Sequence, residues 1–111
     1  DWLASIDKLL ATVPDDVLVL PAHNLPFRGL HARLRYLAAE HRHNLDKLRE
    51  LVAGEPRRVV DVFPALFARP IGRELLGLAT GESLAHLNYL VGRGEVVRST
   101  GADGVDRYSI A

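Results

Sequence analysis

The sequence has 111 residues, of which 48% are hydrophobic and 25% charged, so it predicts a folded globular chain and excludes wholesale disorder. Its 14 basic and 14 acidic residues cancel, which argues against a dedicated nucleic-acid binder. No apolar run approaches the ~20 residues of a membrane span, and there is no cysteine for disulfides or thiol catalysis. We therefore expect a cytoplasmic protein without membrane contact. Because the chain begins at Asp1 and contains no methionine, we also expect a segment of a longer protein.

The first twenty residues predict a helix followed by a buried strand. Residues 1–13 carry apolar side chains at helical spacing, and Asp1 is the predicted N-cap. Residues 17–20 form a continuous, β-branched apolar run, typical of a strand that is buried on both faces. Such a strand needs neighbours for its backbone hydrogen bonds, and this sequence offers no adjacent one, so we interpret the segment as the last helix–strand unit of a larger α/β domain. The predicted apolar face of the helix comprises Trp2, Ile6, Leu9 and Val13.

A loop over residues 22–29 precedes one long helix, which is predicted over residues 30–53. Gly54 fits the position just beyond a helix end, where left-handed backbone is common, and Pro56 prevents continuation. The apolar stripe of this helix comprises Leu30, Leu34, Leu37, His41, Leu45, Leu48 and Val52.

Shorter elements follow the long helix. Residues 57–60 predict a short strand, and Asp61 is expected to cap a helix that runs to residue 68 with Pro64 in its first turn. Another helical stretch begins at Pro70, and the pair at residues 80–81 either interrupts or weakens it. The expected shared face of that stretch comprises Ile71, Leu75 and Leu78.

The last thirty residues predict a helix and a β-hairpin. The helix covers residues 82–93, and Gly94 closes it. Strands over residues 95–99 and 105–110 flank a turn at residues 101–104. Three helices followed by a hairpin are the arrangement of a winged helix. The inward residues of the last helix are predicted to be Leu84, Leu87 and Val91.

His23 is the sharpest candidate for chemistry. It follows the C-terminal end of the predicted strand, where open α/β sheets usually place their sites. A neutral imidazole at such a place is a good ligand for a divalent metal. The alternative is a histidine that only hydrogen-bonds its own loop.

The strand and the loop that carries His23 resemble the last metal-ligand motif of the metallo-β-lactamase superfamily. The chain reads Val-Leu-Val-Leu-Pro-Ala-His-Asn over residues 17–24, where relatives have a buried strand that ends in Pro-Gly-His-Gly. The long helix with Glu-His-Arg at 40–42, and the Leu-Ala-His-Leu stretch from residue 84, resemble the C-terminal module of a hydrolase-like subgroup. Ala22 and Asn24 replace the two usual glycines. The resemblance covers nearly the whole chain. Separately, arginine outnumbers lysine in this sequence, a bias that is common in GC-rich bacterial genomes and favours a bacterial source.

The resemblance implies a mainly α-helical fold with a small β-hairpin in three parts. Residues 1–29 would be the C-terminal end of an αββα metallo-β-lactamase-like domain, residues 30–53 a long linking helix, and residues 54–111 a winged-helix domain. The parent protein would be a hydrolase of a small-molecule substrate with two zinc ions, and His23 would bind one of them. The metals would generate a hydroxide that attacks an ester, a thioester or a related bond. The winged helix would be a cap or an oligomerisation element.

The family's main His-X-His-X-Asp-His cluster, its further histidine and its bridging aspartate are all missing from these residues. A catalytic zinc needs about three protein ligands, and His23 supplies one. We therefore expect the chain alone to be inactive and without a firmly bound metal, and to need the missing N-terminal part of the domain as its partner.

The remaining polar candidates are weaker. His41 lies on the apolar stripe, and His43 points about 200° away from it, so the two cannot share a metal. His31 is expected to face solvent, and His86 to flank the core. Arg28, beside Phe27, has a guanidinium that matches a carboxylate or phosphate, although a surface arginine is the simpler interpretation.

The alternative function is a DNA-binding winged-helix regulator. A DNA reader presents basic and amide side chains on its third helix. Here the outward positions of that helix carry Glu82 against Arg93, and the basic and acidic residues of 54–111 cancel. We therefore favour the hydrolase interpretation.

Overall fold

The computed structural model describes all residues, 1–111, and divides into two compact units, Asp1–Arg42 and His43–Ala111. Four helices and one two-stranded sheet make up the chain, with two short 3₁₀ turns between them. No helix is both long and apolar enough to cross a lipid bilayer. In chain order the elements are α1 (Trp2–Thr12), α2 (Leu30–Gly54), a 3₁₀ turn (Val59–Val62), α3 (Phe63–Leu66), a 3₁₀ turn (Arg73–Leu75), α4 (Leu76–Gly92), β1 (Val96–Thr100) and β2 (Asp106–Ile110).

Helix α1 begins as the sequence predicts, because the Asp1 carboxylate accepts a hydrogen bond from the Ala4 amide at 2.8 Å. Its predicted apolar face is only partly correct. Ile6 is buried, whereas Trp2 and Leu9 are 53% and 42% exposed. The packed side of α1 lies against one face of α2 only, so the two outer side chains stay uncovered. The apolar cluster comprises Leu3, Ile6, Leu10, Leu30, Leu34, Leu37 and Ala38.

Residues 17–20 do not form the predicted strand that is buried on both faces. A single antiparallel bridge joins Val19 to Phe27, and Leu18 and Leu20 are 54% and 74% exposed. The reason is physical: a strand needs a continuous ladder on its edges, and this chain supplies one pairing residue. The alternation of half-buried valines and exposed leucines is the pattern of a strand with one face covered.

The long helix α2 confirms the predicted stripe, in which Leu34, Leu45, Leu48 and Val52 are buried. The predicted left-handed position at Gly54 is wrong. Gly54 is the last residue of α2, and its φ is not positive.

In the unit His43–Ala111, the predicted strand at residues 57–60 reduces to one bridge between Arg57 and Tyr108. Asp61 does not start a helix. It lies inside the 3₁₀ turn, where its carboxylate accepts hydrogen bonds from the Arg58 amide at 2.9 Å and from the Arg58 guanidinium. Pro64 occupies the first turn of α3, as predicted.

Helix α4 runs unbroken through Thr80 and Gly81, so that pair weakens the helical pattern without interrupting it. The face predicted for the stretch after Pro70 is wrong, because Leu75 and Leu78 are 48% and 74% exposed. The side that packs into the core of this unit lies elsewhere on the helix and includes two polar side chains. Its buried residues are Ala79, Ser83, His86, Leu87 and Leu90, while Leu84 and Val91 are half-buried.

The β-hairpin is confirmed within one residue of its predicted bounds. Strands β1 and β2 are antiparallel and pair from Val96 with Ile110 to Thr100 with Asp106. Gly94, at φ 74°, makes the turn from α4 into β1, a left-handed conformation that favours glycine. The core of this unit comprises Leu45, Leu48, Val52, Val62, Ala65, Ala79, Leu87, Leu90, Val96 and Tyr108.

Candidate functional site

The loop that carries His23 is closed by the Val19–Phe27 bridge. The Val19 amide donates to the Phe27 carbonyl at 2.8 Å, and the Phe27 amide donates to the Val19 carbonyl at 3.1 Å. These two hydrogen bonds bring the ends of the loop together and leave His23 between them.

The His23 side chain is exposed and makes no hydrogen bond, ion pair or ring contact, so it is not the loop-bonded histidine of the alternative interpretation. The next residue, Asn24, has φ 70°, in the left-handed region. Asparagine is among the few non-glycine residues that adopt this conformation readily. Asn24 therefore adopts a backbone geometry that glycine ordinarily supplies.

A metal site is not complete within this chain. No three histidine, aspartate or glutamate side chains lie close enough together to hold an ion. His23 supplies one nitrogen, whereas a zinc site takes three or four protein ligands. The residues present therefore do not fit a whole metal centre, and they offer one free imidazole toward it.

The sequence predicts that His31 faces solvent, and the structure shows that it does not. Its side chain is half-buried, and its Nε2 donates to the Val13 carbonyl at 2.7 Å. Its backbone amide donates to the Asp15 carboxylate at 2.8 Å. Because that amide belongs to the first turn of α2, Asp15 caps the helix from a distant position in the sequence. His31 thus has a structural role.

The remaining histidines lie on helices, unlike His23, which lies on a loop. His41 is half-buried on the stripe of α2, and His43 is exposed. His86 is 6% exposed, and its Nδ1 is 2.8 Å from the Glu82 carbonyl, one helical turn earlier. Because so little of its side chain is exposed, His86 lies in the core rather than beside it.

Arg28 is exposed and its guanidinium donates to the Asp16 carbonyl at 3.3 Å. Phe27 is half-buried and provides the backbone of the bridge. These contacts support the simpler interpretation of Arg28 as a loop residue on the surface.

Sequence reasoning missed an ion-pair network around Glu95. Its carboxylate accepts hydrogen bonds at 2.6 Å from both Arg49 of α2 and Arg93 at the end of α4. The hydrogen bond from Arg49, followed by the one from Arg93, lowers the pKa of Glu95 to about 2. Asp46 pairs with the same Arg49 at 2.8 Å. The signal was absent from the sequence because Arg49 and Glu95 lie 46 positions apart.

The basic side chains around the hairpin are paired with carboxylates. Arg107 donates to Asp103 at 2.9 Å, which lowers the pKa of that carboxyl to about 2. Arg98 lies 3.8 Å from Asp106. A surface whose cations already face carboxylates has little positive potential to offer a phosphate backbone.

Residues 45–111 match the family described as "Metallo-beta-lactamase-like, C-terminal domain". The chain belongs to this family. No curated protein matches the sequence.

Two solved structures extend the likeness to almost the whole chain. A Beta-lactamase domain protein from Burkholderia ambifaria is 40% identical with a TM-score of 0.91, and a metallo-beta-lactamase family protein from Thermus thermophilus is 28% identical with a TM-score of 0.76. Each alignment covers 98% of this chain and 32% of the other. This chain therefore spans about a third of the length of those relatives.

Proposed function

We propose that this chain is the C-terminal part of a metal-dependent hydrolase of the metallo-β-lactamase superfamily. In this proposal the parent protein holds two zinc ions, acts on a small-molecule substrate, and takes one metal ligand from His23. The observation that carries the proposal is the backbone likeness to two solved structures, together with an imidazole that makes no hydrogen bond on a closed loop. The chain alone has no activity in this proposal, because the other ligands lie in the remaining part of the parent.

The test is to replace His23 in the full-length parent and to measure its metal content and turnover. His23→Ala is expected to lower metal occupancy from two toward one and to reduce turnover strongly. Folding stability should change little, because the side chain is exposed and makes no hydrogen bond or ion pair. Full metal content and full activity in this variant would refute the assignment.

Two further histidine variants separate ligation from packing. His43→Ala is the matched control, because His43 is exposed like His23 but lies on α2, so metal content should not change. His41→Ala is expected to lower the melting temperature without loss of metal, since His41 is half-buried on the stripe of α2. If His43→Ala also removes metal, the effect is not specific to the loop.

The three-part organisation belongs to the same proposal. Residues 1–29 complete the αββα domain, residues 30–53 link, and residues 54–111 form a winged helix that serves as a cap or an oligomerisation element. Support comes from the order of short helices, α4 and hairpin after α2. The competing role, a DNA-binding regulator, is disfavoured by the carboxylate partners of Arg98 and Arg107.

A further inference from the structure

The outer edge of β2 is covered in part by the segment that follows α2. The Arg57 amide donates to the Tyr108 carbonyl at 2.9 Å, and the Arg57 carbonyl accepts a hydrogen bond from the Tyr108 amide at 2.7 Å. Tyr108 therefore directs its backbone groups away from β1. Arg98, its cross-strand neighbour, directs its own away from β2, since opposite residues of an antiparallel pair either bond to each other or both face outward.

The outer edge of β1 has no such neighbour. The Ala111 amide donates to the Glu95 carbonyl at 3.1 Å, so the backbone groups of Glu95, and of every second residue after it, face β2. The residues between them direct their N–H and C=O groups outward, and no other backbone group of the chain bonds to these. The outward-facing residues are Val96, Arg98 and Thr100.

This edge lacks the features that usually keep a strand from pairing with another chain. Its five residues pair with β2 without a bulge, and none of them is proline or lysine. Its one charged side chain, Arg98, lies 3.8 Å from Asp106, and the nearby Arg93 and Glu95 pair at 2.6 Å. A second strand can therefore approach this edge without meeting an unpaired charge.

A cleft of about 430 Å³ lies between α4 and β1. No residue of β2 lines it, so it borders β1 on the side that faces away from β2. Val97, at one wall of this cleft, is 45% exposed. The cleft leaves room for the side chains of a strand that lies beside β1. Its lining residues are Asn88, Val91, Gly94, Val96, Val97 and Arg98.

We propose that β1 pairs antiparallel with β1 of a second copy of this chain, in a dimer whose two-fold axis passes beside Val97. An axis at Arg98 would place two guanidinium groups directly opposite each other, which is unfavourable. An axis at Ser99 would place Val97 opposite Gly101, which has no side chain to cover it. With the axis at Val97, the two exposed valines cover each other, and the outward backbone groups of Val96 bond to those of Arg98 in the second copy.

This inference rests on the proposed function in one respect, because it chooses oligomerisation over capping as the role of residues 54–111. A two-fold pairing is self-complementary, so one edge supplies both halves of the interface and the two hairpins form a single four-stranded sheet. An unrelated extended segment fits less well, since the edge offers no unpaired charge that would select one.

Single cysteines test the register, because the chain has no cysteine of its own. In the proposed dimer the two copies of residue 97 form a non-hydrogen-bonded pair with Cα atoms about 4.5 Å apart, which a disulfide can span. The two copies of residue 99 would be about 14 Å apart. With a copper–phenanthroline oxidant, Val97→Cys should therefore form a linked dimer at least about tenfold faster than Ser99→Cys. Both residues are exposed on the same face of β1, so equal rates, or no linked dimer, would overturn the proposal.

Sedimentation velocity over a range of concentrations, on the 111-residue chain and on the full-length parent, measures the dimer without a cross-link. Val97→Lys should raise the dimer dissociation constant at least about tenfold, because like charges meet across the axis, whereas Ser99→Lys should change it little. A parent that stays monomeric, or a Val97→Lys variant that dimerises as well as Ser99→Lys, would overturn the proposal. Neither result depends on metal: a monomeric parent with two zinc ions refutes the dimer alone, and a dimeric parent without metal refutes the hydrolase proposal alone.

Discussion

Ser83 provides a sharp test of the packing of α4. Its side chain is fully buried, and its Oγ has no hydrogen-bond partner. A buried hydroxyl that has lost its water costs about 1–3 kcal/mol when nothing in the protein replaces the hydrogen bond. Ser83→Ala removes that oxygen, keeps Cβ in place, and places a better helix former inside α4, a gain of about 0.5 kcal/mol. The lost packing of one atom offsets part of this, so we expect a net stabilisation of about 1–2 kcal/mol.

Urea denaturation and thermal melting of the 111-residue chain measure this effect. One kcal/mol corresponds to about 4–8 °C for a domain of this size class. Asn88→Ala is the control for helix propensity, because Asn88 is exposed on the same helix. It should gain only about 0.5 kcal/mol.

The reasoning fails if Ser83→Ala is less stable than the original chain, or no more stable than Asn88→Ala. Either result would mean that the Ser83 hydroxyl has a partner, such as the Ala79 carbonyl one turn earlier, and that no desolvation penalty is stored at this position.

Three further outcomes follow from the geometry. The pKa of Glu95 is lowered from 4.5 to about 2, so its ion pairs stabilise the fold above pH 4.5 and are lost as the pH falls toward 2. The melting temperatures of the original chain and of Glu95→Gln should therefore differ at pH 7 and converge near pH 2. A difference that stays constant with pH would contradict this. Gly94→Ala should destabilise the fold by about 1–2 kcal/mol, because φ at Gly94 is +74°. Gly81→Ala should stabilise it by about 0.5–1 kcal/mol, because Gly81 is at an exposed helical position with nothing within 4 Å of the new Cβ. Urea titrations that rank the two variants the other way would contradict the backbone assignment. The 111-residue chain should bind zinc only weakly, since His23 is a single ligand, and tight binding in a calorimetric titration would mean that a site assembles from other residues.

Local periodicity was sufficient to predict α2 and the hairpin. The stripe through Leu34, Leu45 and Leu48 is long and regular, so its period fits a helix and excludes a strand. The turn at residues 101–104 likewise falls between two short strands of equal length.

Predictions that depend on distant neighbours were less successful. The run at residues 17–20 has the composition of a buried strand, but burial requires partners that local sequence does not encode. In the stretch from Pro70 into α4, apolar periodicity pointed to Leu75 and Leu78, whereas the buried side of α4 includes Ser83 and His86. Both are polar, so a search for apolar spacing does not find them. A small residue at Ala79 and another at Ser83, four positions apart, was the available signal of close packing.

The metal-ligand role of His23 stays a prediction, because this chain does not contain the other ligands that would complete a site. An apolar run followed by a proline and a histidine located His23 without any alignment. The ion pairs of Glu95 could not be predicted, because charged residues are frequent and only the tertiary fold selects which of them meet.

The contacts of Asp15 and His31 bear on the metal-ligand role proposed for His23. Asp15 fixes one end of the segment to the first turn of α2, His31 holds the Val13 carbonyl, and the Val19–Phe27 bridge closes an inner loop. The chain around His23 is therefore tethered at two nested points before any ion arrives. Closing a loop of this length lowers its conformational entropy, and in this fold that loss occurs on folding rather than on metal binding. Metal binding would then immobilise little more than one imidazole ring. The affinity of that ring for the metal would therefore be reduced little by the entropy of ordering the loop, as in a preorganised binding site.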